Sequence, residues 1–91
     1  MVGLLATAKA GHDKDRLYII IEETKDSVWL SDGKYRTVEH PKRKLKKHIQ
    51  IRKKEIPEVA DIRRKLLAKD TVRDEEIKRA MKLLNVSELE E

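Results

Sequence analysis

The segment from Pro41 to Lys54 constrains this chain most, because it combines dense positive charge with a strand-like pattern. Eight of its residues are Lys or Arg and none is acidic. Like charges at this density repel one another and destabilise a compact fold unless an anion neutralises them. Ile49 and Ile51 alternate with Gln50 and Arg52, which indicates a strand with one face on a core. A folded basic segment is typical of phosphate-backbone binders, and a solvated charged face without a ligand is the alternative.

The charge of the chain is unevenly distributed. The 91 residues fit one small domain, and the net charge of +5 and the pI of about 9.5 lie in the range of nucleic-acid binders. Residues 1–54 carry 14 Lys/Arg against 7 Asp/Glu, for a net charge of +7. Residues 55–91 carry 8 against 10, for a net charge of −2. A nucleic-acid site is therefore expected in the first part of the chain.

The absence of cysteine excludes disulfides, cysteine-ligated zinc and thiol chemistry. The spacing of His12, His40 and His48 matches no zinc pattern, so no metal is expected. No apolar run is long enough to span a bilayer, which predicts a cytoplasmic protein without membrane contact.

Five short runs with strand character follow one another in the first part of the chain. They are residues 1–10, 16–22, 27–30, 35–39 and 48–52. Gly11 permits a turn between the first two runs. Asp32-Gly33 is a hairpin signal, because Gly accepts the positive φ of tight primed turns. Five strands joined by tight turns predict a mainly β chain with a small antiparallel barrel.

Two amphipathic helices are expected after the strands, in residues 55–91. Pro57 suits the first turn of a helix, and a second stripe begins at Ile77. The apolar positions of the two helices are Val59, Ile62, Leu66, Ile77, Ala80, Met81 and Leu84. We expect this C-terminal helical pair to pack on or beside a barrel formed by residues 1–54.

The motifs of the first half are similar to those of a known family. Gly11-His12-Asp13-Lys14, running into Arg16 to Ile21, resembles the KOW motif. The run from Asp32 to Lys44, followed by Lys47-His48, is similar to bacterial KOW-domain RNA-binding proteins, which are related to the large-subunit ribosomal proteins fourteen-e, six-e and twenty-seven-e. The resemblance covers about residues 3–52. It implies an SH3-like barrel that binds RNA, usually ribosomal RNA, either within the ribosome beside ribosomal proteins or as an accessory or assembly factor.

The candidate RNA contacts are the basic residues around these motifs. They are Lys14, Arg16, Arg36, Lys42, Arg43, Lys44, Lys46, Lys47 and His48. Arg binds phosphate bidentately and Lys acts as a movable point charge. Gly11, Asp32 and Gly33 are expected to have structural roles in turns. Trp29 and Tyr35 could stack a base of single-stranded RNA. Trp29 is instead expected in the core, since a chain with three aromatic residues has few large side chains to fill it.

No residue pattern supports catalysis. There is no glycine-rich phosphate loop and no nucleophile–base arrangement, so neither an enzyme, a cofactor nor a small-molecule substrate is expected. Two other classes stay open. One is a protein-interaction module, which three aromatic residues make a poor fit for peptide recognition. The other is a transcription-associated KOW protein that binds nucleic acid, because the phosphate contribution is common to RNA and DNA.

Overall fold

A computed structural model describes residues 1–9 and 16–89 of the chain, with side chains through residue 84. Five strands are followed by two helices. The strands are β1 (Leu5–Ala8), β2 (Tyr18–Glu23), β3 (Ser27–Ser31), β4 (Lys42–Leu45) and β5 (Ile49–Arg52). A 3₁₀ turn (Lys46–His48) joins β4 to β5, and the helices are α1 (Pro57–Leu67) and α2 (Asp74–Leu89). None of the helices in the described ranges has the length and apolar character needed to cross a membrane.

The strands form one antiparallel sheet in the order β4-β3-β2-β1-β5. A mainly β chain with five antiparallel strands and two C-terminal helices is therefore confirmed. The sheet is not closed, since β4 and β5 are its two edges and do not pair within the described residues. In place of the expected barrel the strands form an open sheet, with a register shift in β2 between Ile20 and Glu22 where it pairs with β3.

The fourth strand lies later in the chain than its pattern predicted. Residues 35–39 belong to a loop, and β4 is the basic run Lys42–Leu45, which pairs with β3. The physical reason is local hydrogen bonding. The Asp32 side chain accepts bonds of 2.9 Å from the backbone N–H groups of both Lys34 and Arg36. Such side-chain bonds compete with a strand ladder and favour a turn.

One core cluster lies between the sheet and the helices. Leu5 of β1 and Ile19 of β2 are paired neighbours, so their side chains share a face of the sheet. That face is buried against both helices and the segment between them, in a cluster that consists of Leu5, Ile19, Val59, Ile62, Val72, Ile77, Ala80, Met81 and Leu84. Residues 1–54 and 55–91 therefore share a core, and the helices are part of what stabilises the sheet.

A second core cluster lies on the opposite face of the sheet. It comprises Ala6, Tyr18, Ile20, Val28, Leu30 and Ile49. Trp29 belongs to neither cluster and is only half-buried, so its expected place in the core is wrong. Because side chains alternate along a strand, Trp29 points away from its buried neighbours Val28 and Leu30. Its partner across the ladder is the exposed Arg43.

Candidate nucleic-acid interface

The basic residues of β4 are divided between the two faces of the sheet. Lys42 pairs with Leu30 and Lys44 pairs with Val28, which places both lysines on the face of the second core cluster. Arg43 points to the other face and is exposed. An edge strand therefore displays positive charge on both of its sides, which a flexible basic tail would not do in a fixed arrangement.

Lys42 lies in an environment that disfavours its own charge. The residue is half-buried, and burial, followed by the neighbouring charge of Lys44, lowers the pKa of Lys42 from its usual value. An anion placed near these two lysines would offset both effects, because an opposite charge favours the charged form that burial and a like charge disfavour. Binding of an anion at this edge strand would therefore favour the charged form of Lys42.

The 3₁₀ turn continues the basic run with side chains of unequal availability. Lys47 and His48 are exposed. Lys46, in contrast, donates to Glu23 at 2.9 Å, and the same carboxylate accepts a 2.8 Å bond from the N-terminal amine. Hydrogen bonds from this amine and then from Lys46 lower the pKa of Glu23 to about 2. Lys46 and the N-terminal amine are therefore joined through the carboxylate of Glu23. Lys46 must break its ion pair with Glu23 before it contacts phosphate.

A third group of basic residues surrounds an exposed tyrosine. The guanidinium carbon of Arg16 lies 4.9 Å from the centroid of the Tyr35 ring, and the Lys34 ammonium lies 5.1 Å from it. Arg16 and Lys34 are exposed, and so is Arg36, whose carbonyl oxygen accepts a 2.7 Å bond from the Ser31 hydroxyl. Residues distant in sequence are thus brought together at the start of β2 and in the loop after β3.

The loop of residues 32–38 is fixed by contacts with α2. Gly33 has a φ of +76°, and a Cβ built on it would lie 2.4 Å from the carbonyl oxygen of Asp74 and 2.8 Å from the backbone nitrogen of Lys78. Only glycine fits at this position, because any side chain meets both backbone strain and backbone atoms of the helix. Asp32 and Gly33 thus lie in a bend whose shape depends on the second helix. Gly11 and Lys14 lie outside the described residues.

Lys34 was not among the RNA contacts predicted from the sequence, although the run Lys34-Tyr35-Arg36 has a pattern that indicates nucleic-acid binding. Basic residues that alternate with an aromatic one are a pattern of nucleic-acid surfaces, in which the ring stacks on bases and the charges contact phosphates. Arg52 and Lys53, which follow on β5 and just after it, are also exposed, and Arg52 donates to the Thr7 hydroxyl at 3.1 Å.

The edge position of β4 offers a second explanation for its lysines. An exposed strand edge carries free backbone groups that recruit other chains, and natural sheets block such edges with charged residues, lysine in particular. Two lysines and an arginine on one short strand fit this protective role as well as phosphate binding. The two roles predict different effects of replacing these residues. If they protect the edge, their loss produces self-association, and if they bind phosphate, their loss lowers the affinity for an anionic partner.

Across residues 1–9 and 16–89, no group of three or more His, Cys, Asp or Glu side chains lies close enough together to hold a metal ion.

No model of a known protein family matches the chain, and no curated protein is significantly similar to it. The likeness to KOW-domain proteins therefore depends on the sequence motifs alone and stays a prediction.

Proposed function

We propose that this protein binds structured RNA in the cytoplasm, ribosomal RNA in the first place, and that it does so without catalysis. The observation that supports this proposal most is that the basic run is part of the fold. Lys42, Arg43 and Lys44 form an edge strand, and the 3₁₀ turn with Lys47 and His48 continues directly from it. We name these five residues, which lie along one edge of the sheet and in the turn after it, with the side chains of β4 on both faces of the sheet, the basic surface.

Binding through the basic surface follows from elementary electrostatics. Cations that neutralise RNA phosphates release condensed counterions, and this release supplies most of the affinity. Arg43 offers a fork that matches two phosphate oxygens, whereas the lysines contribute point charges. Because the strand holds these groups at fixed separations, less side-chain and backbone freedom is lost on binding than in a flexible tail.

The ribosomal part of the proposal comes from the resemblance of the sequence motifs to KOW-domain proteins. Phosphate contacts position a protein on its RNA but carry no base information. Charge alone therefore does not choose ribosomal RNA over another structured RNA. The resemblance also implies ribosomal proteins as neighbours of the bound protein.

A titration of the ¹⁵N-labelled protein with a structured RNA fragment tests the site. We expect the largest amide shift changes in β4, the 3₁₀ turn and the 32–38 loop, with small changes on the exposed face of α2 that carries Lys78, Arg79 and Lys82. Changes confined to α2, or no changes at all at low salt, contradict the proposed site.

Crosslinking in cells tests the identity of the RNA. We expect sequencing of RNA crosslinked to the full chain to be dominated by ribosomal RNA at a few defined positions. Crosslinks spread over messenger RNA in proportion to its abundance, or recovery of DNA in place of RNA, contradict the ribosomal assignment.

Light scattering on a Lys42→Ala, Arg43→Ala, Lys44→Ala variant distinguishes protection of the strand edge from phosphate binding. The protective role predicts that the variant self-associates.

A further inference from the structure

Tyr35 is the most exposed aromatic side chain of the described chain. The residue is 64% exposed, although it lies on a protein with few aromatic residues to spare for its surface. Large exposed aromatic residues cost hydrophobic free energy that burial would recover. Nothing in the core accounts for the position of Tyr35, since it belongs to neither core cluster.

Hydrogen bonds fix the backbone on both sides of Tyr35. Asp32 accepts bonds from the N–H groups on both sides of Tyr35, those of Lys34 and Arg36, and the Arg36 carbonyl accepts from Asp32 at 3.1 Å. Two residues after Arg36, the N–H of Val38 donates to Asp74 of α2 at 2.8 Å. An aromatic ring on a fixed loop loses little freedom when a flat ligand stacks on it.

The surroundings of Tyr35 select the charge of that ligand. Arg16 and Lys34 lie over the Tyr35 ring, with the guanidinium carbon 4.9 Å and the ammonium nitrogen 5.1 Å from its centroid, in cation–π contacts. A group that stacks on this tyrosine therefore meets these cations at the ring, and an anionic substituent on that group pairs with the cation that it displaces. A nucleotide has this composition, a flat base attached to a phosphate, whereas a neutral or basic aromatic side chain leaves the cations without an anion.

We propose that Tyr35 is a stacking site for one unpaired base of the bound RNA, with Arg16 and Lys34 on the adjoining phosphates. The proposal rests on the RNA-binding function proposed above and specifies the RNA further. Bases inside a duplex are already stacked, so a protein ring reaches them only in loops, bulges and ends. The preferred RNA therefore carries an unpaired nucleotide beside a helical stem, the stem contacting the basic surface of β4 and the 3₁₀ turn.

Two hairpin RNAs test this assignment with the full chain. They have the same stem, and one of them carries a single bulged 2-aminopurine. We expect the wild type to bind the bulged RNA about tenfold more tightly, in the range that stacking of one base supplies, and to quench the 2-aminopurine fluorescence. Tyr35→Ala should lose this preference and the quenching, while Tyr35→Phe, which keeps the ring, should retain both.

The paired hairpin and the fold of the variants serve as controls. Because Tyr35 is exposed, Tyr35→Ala should melt within a few degrees of the wild type. If Tyr35 only orients Arg16 and Lys34, the alanine variant weakens both RNAs equally, and the stacking proposal is overturned. Equal binding of both RNAs by the wild type, without quenching, overturns it too. A wild type that binds neither RNA at low salt contradicts the RNA-binding function itself, and the stacking site falls with it.

Discussion

The carboxylate of Asp74, the first residue of α2, accepts a 2.8 Å hydrogen bond from the backbone N–H of Val38. This bond joins the start of the second helix to the loop that carries Tyr35. Gly33 of the same loop lies against the same helix turn. The net-negative C-terminal part of the chain therefore contributes to the proposed RNA site through the shape of a loop, while the positive charges come from residues 1–54.

Asp74→Ala should lower the free energy of unfolding by about 1–2 kcal/mol, because it leaves the N–H of Val38 without its acceptor. Asp74→Asn keeps an oxygen acceptor and should lose less. Glu75→Ala is the matched control, since it removes an exposed acidic residue from the same first turn of α2. Urea denaturation of the variants measures the differences. Equal losses for Asp74→Ala and Glu75→Ala would show that only the helix-dipole charge matters.

The pH dependence of stability should show the Glu23 pairing. The pKa of Glu23 is lowered to about 2 by the N-terminal amine and Lys46, from an ordinary value of 4.5. Because the folded-state pKa is lowered, the stabilisation is complete above pH 4.5 and is lost as the pH falls towards 2. Glu23→Gln should therefore be less stable than the wild type at pH 7, and this difference should shrink below pH 4.5.

Urea unfolding at pH 7, 4.5 and 2.5 measures this trend, with Glu22→Gln as the control for the charge removed. A destabilisation by Glu23→Gln that is the same at all three pH values would mean that the carboxylate is not paired in solution.

Trp29→Ala should lower the free energy of unfolding by only about 1–2 kcal/mol, because the side chain is half-buried and lies outside both core clusters. Leu30→Ala, one residue later, removes a fully buried side chain and should cost about 2–5 kcal/mol. Chemical denaturation of both variants gives the comparison. A larger loss for Trp29→Ala than for Leu30→Ala would place the indole in the core after all.

Local patterns in the sequence were sufficient to predict most elements of the fold. The apolar run of residues 16–22 and the stripe that begins at Ile77 became β2 and α2, because burial of one face is the main force behind both. The alternation of residues 35–39 gave a wrong strand. The N–H groups of Arg36 and Val38 already donate to aspartate side chains outside this run, those of Asp32 and Asp74. An alternating pattern indicates that the two faces of a segment differ in polarity. It does not indicate whether side chains compete with a strand for the backbone N–H groups.

The candidate site was predictable in its charges but not in its geometry. The basic run is visible in the sequence, whereas the division of Lys42 and Arg43 between two faces depends on their partners in β3. The grouping of Arg16 with Tyr35 depends on loop contacts between distant residues. Trp29 was misplaced for a related reason, because its face of the sheet is set by the register of β3 and β4.

The salt dependence of RNA binding tests the central claim most directly. If five to seven basic groups neutralise phosphates, log K should fall against log[salt] with a slope of about −4 to −6. Replacing Lys42, Arg43 and Lys44 by Ala should make the slope shallower by about 2–3 and weaken different RNA sequences alike. Replacing Lys78, Arg79 and Lys82 removes the same charge from exposed positions of α2 and should leave the slope unchanged. An unchanged slope in the β4 variant would contradict the account and leave β4 as a solvated strand edge.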